Sequence, residues 1–197
     1  MEIDERLIEL IAHHKKICRH LHIPLQSGDT EILSKMKRNY NARQYEAIVR
    51  FAVERISPLG LGADVIVGFP GENEENFKNT QKLIEELPFS YLHVFPYSPR
   101  SGTEAYGFKN NVKNTTKKER GVILSNIVKK KSLLFRKSFI GKKVTVLIED
   151  KKQNNGTLKG HSEHYIPVRI NSEECIQNQL VSVLIKQVTE EEVVGCL

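Results

Sequence analysis

The sequence contains few cysteines, and none of them lies near another. Its three cysteines are Cys18, Cys175 and Cys196, and their separations match no metal-ligand spacing. Iron–sulfur clusters require thiolates that meet in space, so the cysteines predict no metal site. Unpaired cysteines also indicate a reducing compartment, in which such thiols are buried or inert. His20 and His22 are two apart on one predicted strand face, but no third metal ligand has a matching spacing.

Long apolar runs and a secretory signal are also absent from the sequence. No hydrophobic stretch approaches the length needed to cross a membrane. The first five residues are acidic and polar, which is not the pattern of a signal peptide. The chain has 197 residues, of which 39% are hydrophobic, so one domain and a small second one are expected. We therefore expect a cytoplasmic protein that has no membrane partner.

Charge is distributed unevenly along the chain. Residues 1–108 hold 13 Lys and Arg against 15 Asp and Glu, a net charge of −2. Residues 109–197 hold 17 against 9, a net charge of +8. This asymmetry indicates nucleic acid or a membrane surface as the partner of the basic half. The lysine runs at 117–118 and 129–131 also fit the solvated face of a helix, so both interpretations stay open.

The first hundred residues predict a parallel sheet with helical connections. Asp29 and Asn41 precede helical patterns and are predicted to cap them, because their side chains accept hydrogen bonds from exposed N–H groups, and Asn73 or Glu74 is predicted to open a further helix. Strands connected through helices run parallel. The predicted strands are 20–25, 61–67 and 90–95, and the predicted helices are 3–16, 29–36, 41–56 and 74–87.

Each predicted strand has one aliphatic and one polar or aromatic face. A strand covered by helices on both sides would be aliphatic throughout, so the alternation predicts an open, curved sheet whose polar side lines a cleft. The first strand is expected to have an unpaired edge, which favours self-association. The residues predicted on the concave side are His22, Gln26, Asp64 and His93, and those predicted beneath the helices are Leu21, Ile23, Val65, Val67, Leu92 and Val94.

The second strand ends in a turn that allows a ligand to approach closely. Residues 64–72 read DVIVGFPGE, in which Gly68 and Gly71 bracket Pro70 and a carboxylate follows. Glycines permit a sharp turn without Cβ atoms in the way. Ligands of α/β proteins bind outside the carboxyl ends of the strands. The same residues also fit an ordinary loop between a strand and a helix.

The remainder predicts a long helix followed by a small β barrel. Residues 102–113 form a polar crossing loop, and 115–139 form a basic amphipathic helix with Gly141 as its predicted C-cap. Short strands separated by turns are typical of a small barrel. The apolar side of the helix is predicted to consist of Val122, Ile123, Ile127, Leu134 and Phe135. The predicted strands are 144–148, 157–160, 165–170, 180–188 and 192–196, with a tight turn at 153–156.

Three ordered motifs resemble a known enzyme family. Residues 20–28 (HLHIPLQSG), 64–72 (DVIVGFPGE) and 93–103 (HVFPYSPRSGT) are similar to the radical S-adenosylmethionine tRNA methylthiotransferases. They are most similar to the bacterial branch that acts on N6-threonylcarbamoyladenosine in tRNA, and the resemblance continues through 154–170 and 178–183. It implies an α/β half of a radical S-adenosylmethionine βα barrel at 1–114, a linking helix at 115–138, and an OB-like TRAM domain at 139–197.

The resemblance implies a cofactor site along the polar face of the sheet. The turn at 68–72 would lie along the adenosine part of S-adenosylmethionine, and Gln26 and Ser27 would line the lumen near its sulfonium or methionine part. Asp64 would bond a ribose hydroxyl or a neighbouring histidine. The implied cofactor-binding residues are Gln26, Ser27, Asp64, Gly68, Phe69, Pro70, Gly71 and Glu72.

The resemblance also implies contacts to tRNA. Arg100 would lie at the substrate mouth, where a guanidinium pairs with phosphate or carboxylate. In the TRAM-like segment, rings would stack on bases and basic side chains would meet phosphates. A barrel with an ordinary solvated surface is the alternative. The implied RNA-binding residues are Arg100, Lys142, Lys143, Lys159, His164, Tyr165 and Arg169.

The implied reaction requires more than this sequence contains. In the family, one S-adenosylmethionine is cleaved reductively to a radical that abstracts the C2 hydrogen of the adenosine, and another supplies the methyl group. An iron–sulfur cluster supplies the electron. The family binds this cluster through Cys-x3-Cys-x2-Cys, which is missing here, as is the family's N-terminal domain. We therefore expect a chain that is inactive alone and binds tRNA. A gene fragment, an engineered piece, a subunit completed by another chain and an inactive remnant remain alternatives.

Overall fold

A computed structural model describes residues 3–149, 157–171 and 177–197. The described chain begins with a parallel sheet and its helices and continues into a closed β barrel. The first part comprises α1 (Glu5–His13), β1 (His20–His22), α2 (Thr30–Lys35), α3 (Ala42–Arg55), β2 (Gly60–Val67), α4 (Glu74–Glu86) and β3 (Tyr91–Pro96). A short 3-10 helix (Glu104–Gly107) and α5 (Asn114–Lys137) lead to β4 (Lys143–Ile148), β5 (Thr157–Ser162), β6 (Pro167–Asn171), β7 (Leu180–Val188) and β8 (Val193–Cys196).

The helices of the first part begin at the predicted polar caps. The Asp29 carboxylate accepts a hydrogen bond from Ile32 N at 3.0 Å and starts α2. Asn41 and Asn73 start α3 and α4, each through a reciprocal capping box. The predicted caps Asp29 and Asn41 are confirmed, and of the two residues predicted to open α4, Asn73 is the cap. In each case a short polar side chain satisfies N–H groups that the helix itself leaves unpaired.

The sheet is parallel and has the order β1-β2-β3. β1 is shorter than predicted, although the chain continues beside β2 through a hydrogen bond from Leu25 N to Asp64 O at 3.1 Å. Ile23 N likewise donates to Gly62 O at 2.9 Å, so Pro24, whose nitrogen points away from β2, removes no hydrogen bond from this pairing. Within the described residues β1 pairs with β2 alone, so the predicted unpaired edge is confirmed.

The two faces of the sheet differ as predicted, with one exception. Val65 and Val67 are buried beneath the helices, whereas His22 and His93 are exposed on the opposite face. Gln26 was predicted on the open face but is only 8% exposed. Its φ of +63° takes the backbone out of the extended conformation, so the side-chain alternation ends before this residue.

The buried face of α5 is not the predicted one. Val122 is 52% exposed and Leu134 is 69% exposed, whereas Leu124 and Val128 are buried. The predicted apolar side was wrong for Val122, Ile123 and Leu134, because basic side chains occupy part of the inner face, where their charged ends find partners. Ile127 and Phe135 do pack against the two cores, as predicted. The predicted C-cap was also wrong, since α5 ends at Lys137 and Ser138 is its cap. Gly141 lies further on and donates its N–H to Ile185 O in the barrel.

The second part is a closed barrel with the strand order β4-β5-β6-β8-β7. Only β6 and β8 run parallel among the described pairs. The predicted small barrel is therefore confirmed, while the predicted turn at 153–156 lies outside the described residues. Tyr165 was predicted to begin a strand, but it occupies the turn before β6 with φ +60°. No helix in the described parts of the chain is both long and apolar enough to span a bilayer.

Candidate functional site

A cleft opens at the carboxyl ends of β2 and β3. Its volume is about 580 Å³, which lies in the range of small-ligand sites. Ile66 and Phe95 stand opposite each other in the strand register and form part of its apolar wall. Arg38 and Arg100 lie on its rim. The cleft therefore combines an apolar surface with positive charge, which suits a nucleoside that carries an anionic group.

The predicted Gly-Pro-Gly turn borders this cleft through Phe69, the one residue of the 68–72 turn that lines it. Gly68 has φ +73° and Gly71 has φ +83°, conformations that favour glycine. A Cβ atom on Gly68 would lie 2.3 Å from Lys117 Cγ, so the turn packs closely against α5. The Gly68 N–H donates to Glu72 Oε1 at 2.9 Å. This amide is therefore occupied by a side chain of the turn itself.

A buried ion pair fixes the turn to α5. Glu72 and Arg120 are joined by a 2.5 Å contact, and their side chains are 2% and 7% exposed. Arg120 also donates to the Glu72 carbonyl at 3.3 Å. Burial raises the pKa of the Glu72 carboxyl, whereas the Gly68 N–H and Arg120 act in the opposite direction. The Glu72 side chain is engaged in this ion pair. The predicted contact between the 68–72 turn and a cofactor therefore stays a prediction for the backbone groups of the turn.

Gln26 and Ser27, the other residues predicted near the cofactor, are both buried. Gln26 Oε1 accepts from Arg38 at 3.0 Å and so connects the strand end to the cleft rim. The Ser27 hydroxyl lies 3.3 Å from that of Thr80 and holds the loop against α4. Asp29 N donates to the same Ser27 hydroxyl at 3.2 Å. Ser27 therefore supports the loop, and a direct contact of either residue with a cofactor stays a prediction.

A chain of polar contacts crosses the open face of the sheet. Asp64 Oδ2 lies 3.2 Å from His22 Nε2. The Tyr91 hydroxyl lies 3.0 Å from His22 Nδ1 and 2.9 Å from His20 Nε2. Burial is the main cause that raises the pKa of Tyr91 to about 12, and burial followed by His22 lowers the pKa of His20. These groups satisfy one another, and within the described residues no group of three or more His, Cys, Asp or Glu is placed to hold a metal ion.

The two predicted base-stacking residues of the barrel lie where it meets the sheet. Tyr165 stacks between His20 and His161, with ring centroids 4.6 and 4.9 Å away, and remains 51% exposed. His164 is only 5% exposed and packs on Phe139 at 4.7 Å. Burial, followed by the charge of Arg19, lowers the pKa of His164 to about 4. His164 therefore belongs to the contact between sheet and barrel. Histidine rings stack on the Tyr165 ring from both sides, so a base would have to displace one of them, and base stacking on Tyr165 stays a prediction.

The predicted phosphate-binding residues divide into engaged and accessible ones. Arg169 binds both carboxylate oxygens of Glu192, at 2.8 and 2.9 Å, so its guanidinium is already partnered. Lys142, Lys143 and Lys159 are exposed on the barrel surface. These three lysines lie where the prediction requires them, and their contact with RNA stays a prediction.

The sequence is similar to a family model and to proteins of known function. Residues 1–84 match the model of the radical SAM superfamily. The tRNA-2-methylthio-N(6)-dimethylallyladenosine synthase of Oceanobacillus iheyensis is 41% identical over 163 residues, or 82% of this chain and 31% of that protein. Threonylcarbamoyladenosine tRNA methylthiotransferase MtaB is 39% identical in Aquifex aeolicus, over 93% of this chain and 43% of that protein. In Thermotoga maritima it is 34% identical, over 99% of this chain and 44% of that protein. Over most of its length the chain is therefore similar to tRNA methylthiotransferases, and its first 84 residues match the radical SAM superfamily.

The chain spans less than half the length of these curated relatives. Their printed names include two different modified adenosines, and both kinds of relative match at similar identity. The family resemblance of the three motifs is thus confirmed. The comparisons leave the particular adenosine open.

The residues described here fit one of the family's two cofactors better than the other. The cleft beside the 68–72 turn has the volume and apolar wall that an S-adenosylmethionine nucleoside requires. The free cysteines Cys18 and Cys196 lie in different domains, and the described residues contain no metal-ligand group. They therefore do not fit an iron–sulfur cluster, and no step is assigned to such a cluster on these residues.

Sequence reasoning missed the role of α5 in this site. Lys117 Nζ donates to Tyr97 O at 2.9 Å, and Arg120 forms an ion pair with Glu72. Consecutive turns of α5 therefore contact the segments that follow β3 and β2. The available signal was the spacing of Lys117, Arg120 and Leu124, which places all three on one helix face. Lysine and arginine at such positions normally indicate a solvent-exposed face. Here the Tyr97 carbonyl explains the inward direction of Lys117, and the buried Glu72 explains that of Arg120.

Proposed function

We propose that this chain takes part in adding a methylthio group to C2 of N6-threonylcarbamoyladenosine in tRNA. The observation that carries the proposal is the cleft at the carboxyl ends of β2 and β3, formed by segments similar to tRNA methylthiotransferases. In this role the chain would hold S-adenosylmethionine and position the RNA. S-adenosylmethionine, when bound, supplies the methyl group and the carbon radical of the family's chemistry.

The charge of the cleft favours threonylcarbamoyladenosine over dimethylallyladenosine. A threonylcarbamoyl group carries a carboxylate, whereas a dimethylallyl group is apolar and uncharged. Arg100 is exposed on the rim, and Arg38 lies beside it with one hydrogen bond to neutral Gln26. A guanidinium pairs well with a carboxylate, so Arg100 is proposed to select the charged substituent.

We further propose that residues 139–197 form a TRAM domain that binds tRNA without strong sequence preference. The closed barrel and the exposed Lys142, Lys143 and Lys159 support this assignment. Phosphate contacts release counterions, so affinity for tRNA should fall steeply as salt is added. Charge reversal at Lys142 and Lys143 should weaken binding and reduce the salt slope, measured by titrating labelled tRNA at several salt concentrations.

The cluster ligands are proposed to come from another polypeptide segment, in the same gene product or in a second chain. Support comes from the lack of any suitable cysteine group in this sequence. A tRNA-positioning module completed by a partner is therefore the second candidate function, and an inactive remnant is the third. Reconstitution with a cluster-bearing segment distinguishes these candidates, because the remnant would restore no methylthio transfer.

The proposed function is tested by nucleoside analysis of tRNA from cells that lack this coding sequence. We expect N6-threonylcarbamoyladenosine to accumulate without its 2-methylthio form, and plasmid-borne expression should restore the modification. An Arg100→Leu variant should restore it poorly, whereas Arg100→Lys should retain part of the activity. Loss of the dimethylallyladenosine derivative instead would contradict the proposed substrate, and unchanged tRNA would contradict the proposed function.

A further inference from the structure

Three neighbouring cavities run along one side of α5. The first has a volume of about 680 Å³ and the second about 750 Å³, and both are lined by Ser125 and Lys129. The third, of about 320 Å³, shares Tyr91 and Arg136 with the second. The cavities share lining residues and follow one side of α5, and together they are called here the α5 groove.

The α5 groove connects the two sites discussed above. At one end it is lined by Tyr97 and Ser98, which also line the candidate cofactor cleft. At the other end it is lined by Tyr165 of the barrel. Along the helix it extends from Lys118 to Arg136, a rise of about 27 Å at 1.5 Å per residue. A chain lying in the groove would therefore reach from the barrel to the cleft.

Basic residues recur on the helix face that lines the groove. Lys118 and Lys129 are eleven residues apart, and Arg136 follows seven residues later, so all three lie on the same side of α5. Ser125 stands between them and adds a hydroxyl donor. The face thus presents positive charge and hydrogen-bond donors along its length, with Glu190 and Glu191 confined to the barrel end.

The groove lysines differ from the other basic residues of α5 in their contacts. Lys117, Arg120 and Lys131 are each committed to carbonyl or carboxylate oxygens of the first domain. Lys118 and Lys129 are exposed, and neither forms an ion pair in the part of the chain that the structure describes. Their charge is available to a partner without breaking an internal contact.

We propose that the α5 groove binds the sugar–phosphate backbone of RNA and leads it from the barrel to the cleft. The inference rests on the proposed function, since it assumes that tRNA is the substrate. Spaced cations and hydroxyl groups along an elongated surface match a row of phosphates, which protein side chains contact through such groups.

The test measures tRNA affinity of the full chain at several salt concentrations, by fluorescence anisotropy of labelled tRNA. Lys129→Glu should weaken binding several-fold and reduce the salt slope by about one, because one phosphate contact is lost. The double variant Lys118→Glu/Lys129→Glu should reduce the slope by about two. The matched control is Lys78→Glu/Lys137→Glu, which reverses the same number of exposed charges outside the groove. It should leave affinity within about twofold if only long-range charge is altered.

Three other outcomes have distinct meanings. If the groove variants and the control variant lose tRNA affinity equally, net charge alone explains binding. That result would contradict the proposal that RNA lies in the α5 groove. A wild-type chain that binds no tRNA at low salt would overturn the proposed RNA substrate itself. Equally tight binding of a polyglutamate peptide, lost in the same groove variants, would assign the groove to an acidic protein partner and overturn the RNA proposal.

Discussion

At the scale of single residues, Arg120 shows how a buried charge organises a turn. Arg120→Gln would leave the Glu72 carboxylate buried without its ion-pair partner, which typically costs about 3 to 5 kcal/mol. The control Arg50→Gln removes the exposed Arg50–Glu46 pair and should cost less than about 1 kcal/mol. Urea unfolding followed by circular dichroism measures both free energies of unfolding. Similar small losses in the two variants would contradict a structural role for Arg120.

His164 should make the stability of the protein dependent on pH. Its pKa in the folded chain is lowered to about 4, below the ordinary histidine value of 6.5, because burial disfavours the charged ring. The stabilisation from the neutral ring is therefore complete above pH 6.5 and is lost as the pH falls towards 4. His164→Phe keeps a ring against Phe139 and cannot be protonated. Its melting temperature should fall less between pH 7 and pH 4.5 than that of the wild type, and parallel curves would contradict the assignment.

At the scale of elements, the turn before β6 joins the barrel to the sheet. Tyr165→Ala removes the ring stacked between His20 and His161, and should lower the free energy of unfolding by about 0.5–1.5 kcal/mol. Tyr165→Phe keeps the stacking surface and serves as the control. Faster amide hydrogen exchange in β1 of the alanine variant alone would support this contact. Unchanged exchange in β1 would contradict it.

The parallel sheet and the small barrel were predictable because their patterns are local. Caps such as Asn41 and the alternation of His22 with Leu21 and Ile23 depend on short stretches of sequence. The inner face of α5 was not predictable in this way. Arg120 faces inward because Glu72, 48 residues earlier, is buried opposite it. Such pairing between distant residues leaves no periodic signal in either segment.

The candidate site was predictable as a location but only partly as a set of contacts. The strand ends at Gly68 and Phe95 do meet at one cleft, because parallel strands place their carboxyl ends on one edge. Ser27 and His164 were expected to face ligands and are instead buried in internal contacts. Both residues are polar and border turns, and a sequence shows neither how tightly a turn packs nor against what.

At the scale of the whole molecule, this chain should assemble no iron–sulfur cluster alone. Its cysteines are three and scattered, so they offer no set of thiolates in one place. Anaerobic reconstitution, followed by iron and sulfide analysis and visible absorption spectroscopy, measures the cluster content. A full-length relative treated in parallel is the positive control. Stoichiometric iron and sulfide with cluster absorption in this chain would contradict the prediction.

The Tyr91 hydroxyl couples the donor and acceptor roles of His22 and His20 on the polar face of the sheet. Asp64 Oδ2 lies 3.2 Å from His22 Nε2, so an ionised Asp64 favours the His22 tautomer that carries its proton on Nε2. A neutral His22 then accepts from Tyr91 at Nδ1, and His20 must donate from Nε2 to the Tyr91 oxygen. If His22 is protonated, its Nδ1 donates to the Tyr91 oxygen. The Tyr91 hydroxyl then donates to His20 Nε2, so His20 becomes the acceptor. The tautomer of His20, a ring that touches Tyr165 of the barrel, thus reports the charge of a histidine on the far side of Tyr91.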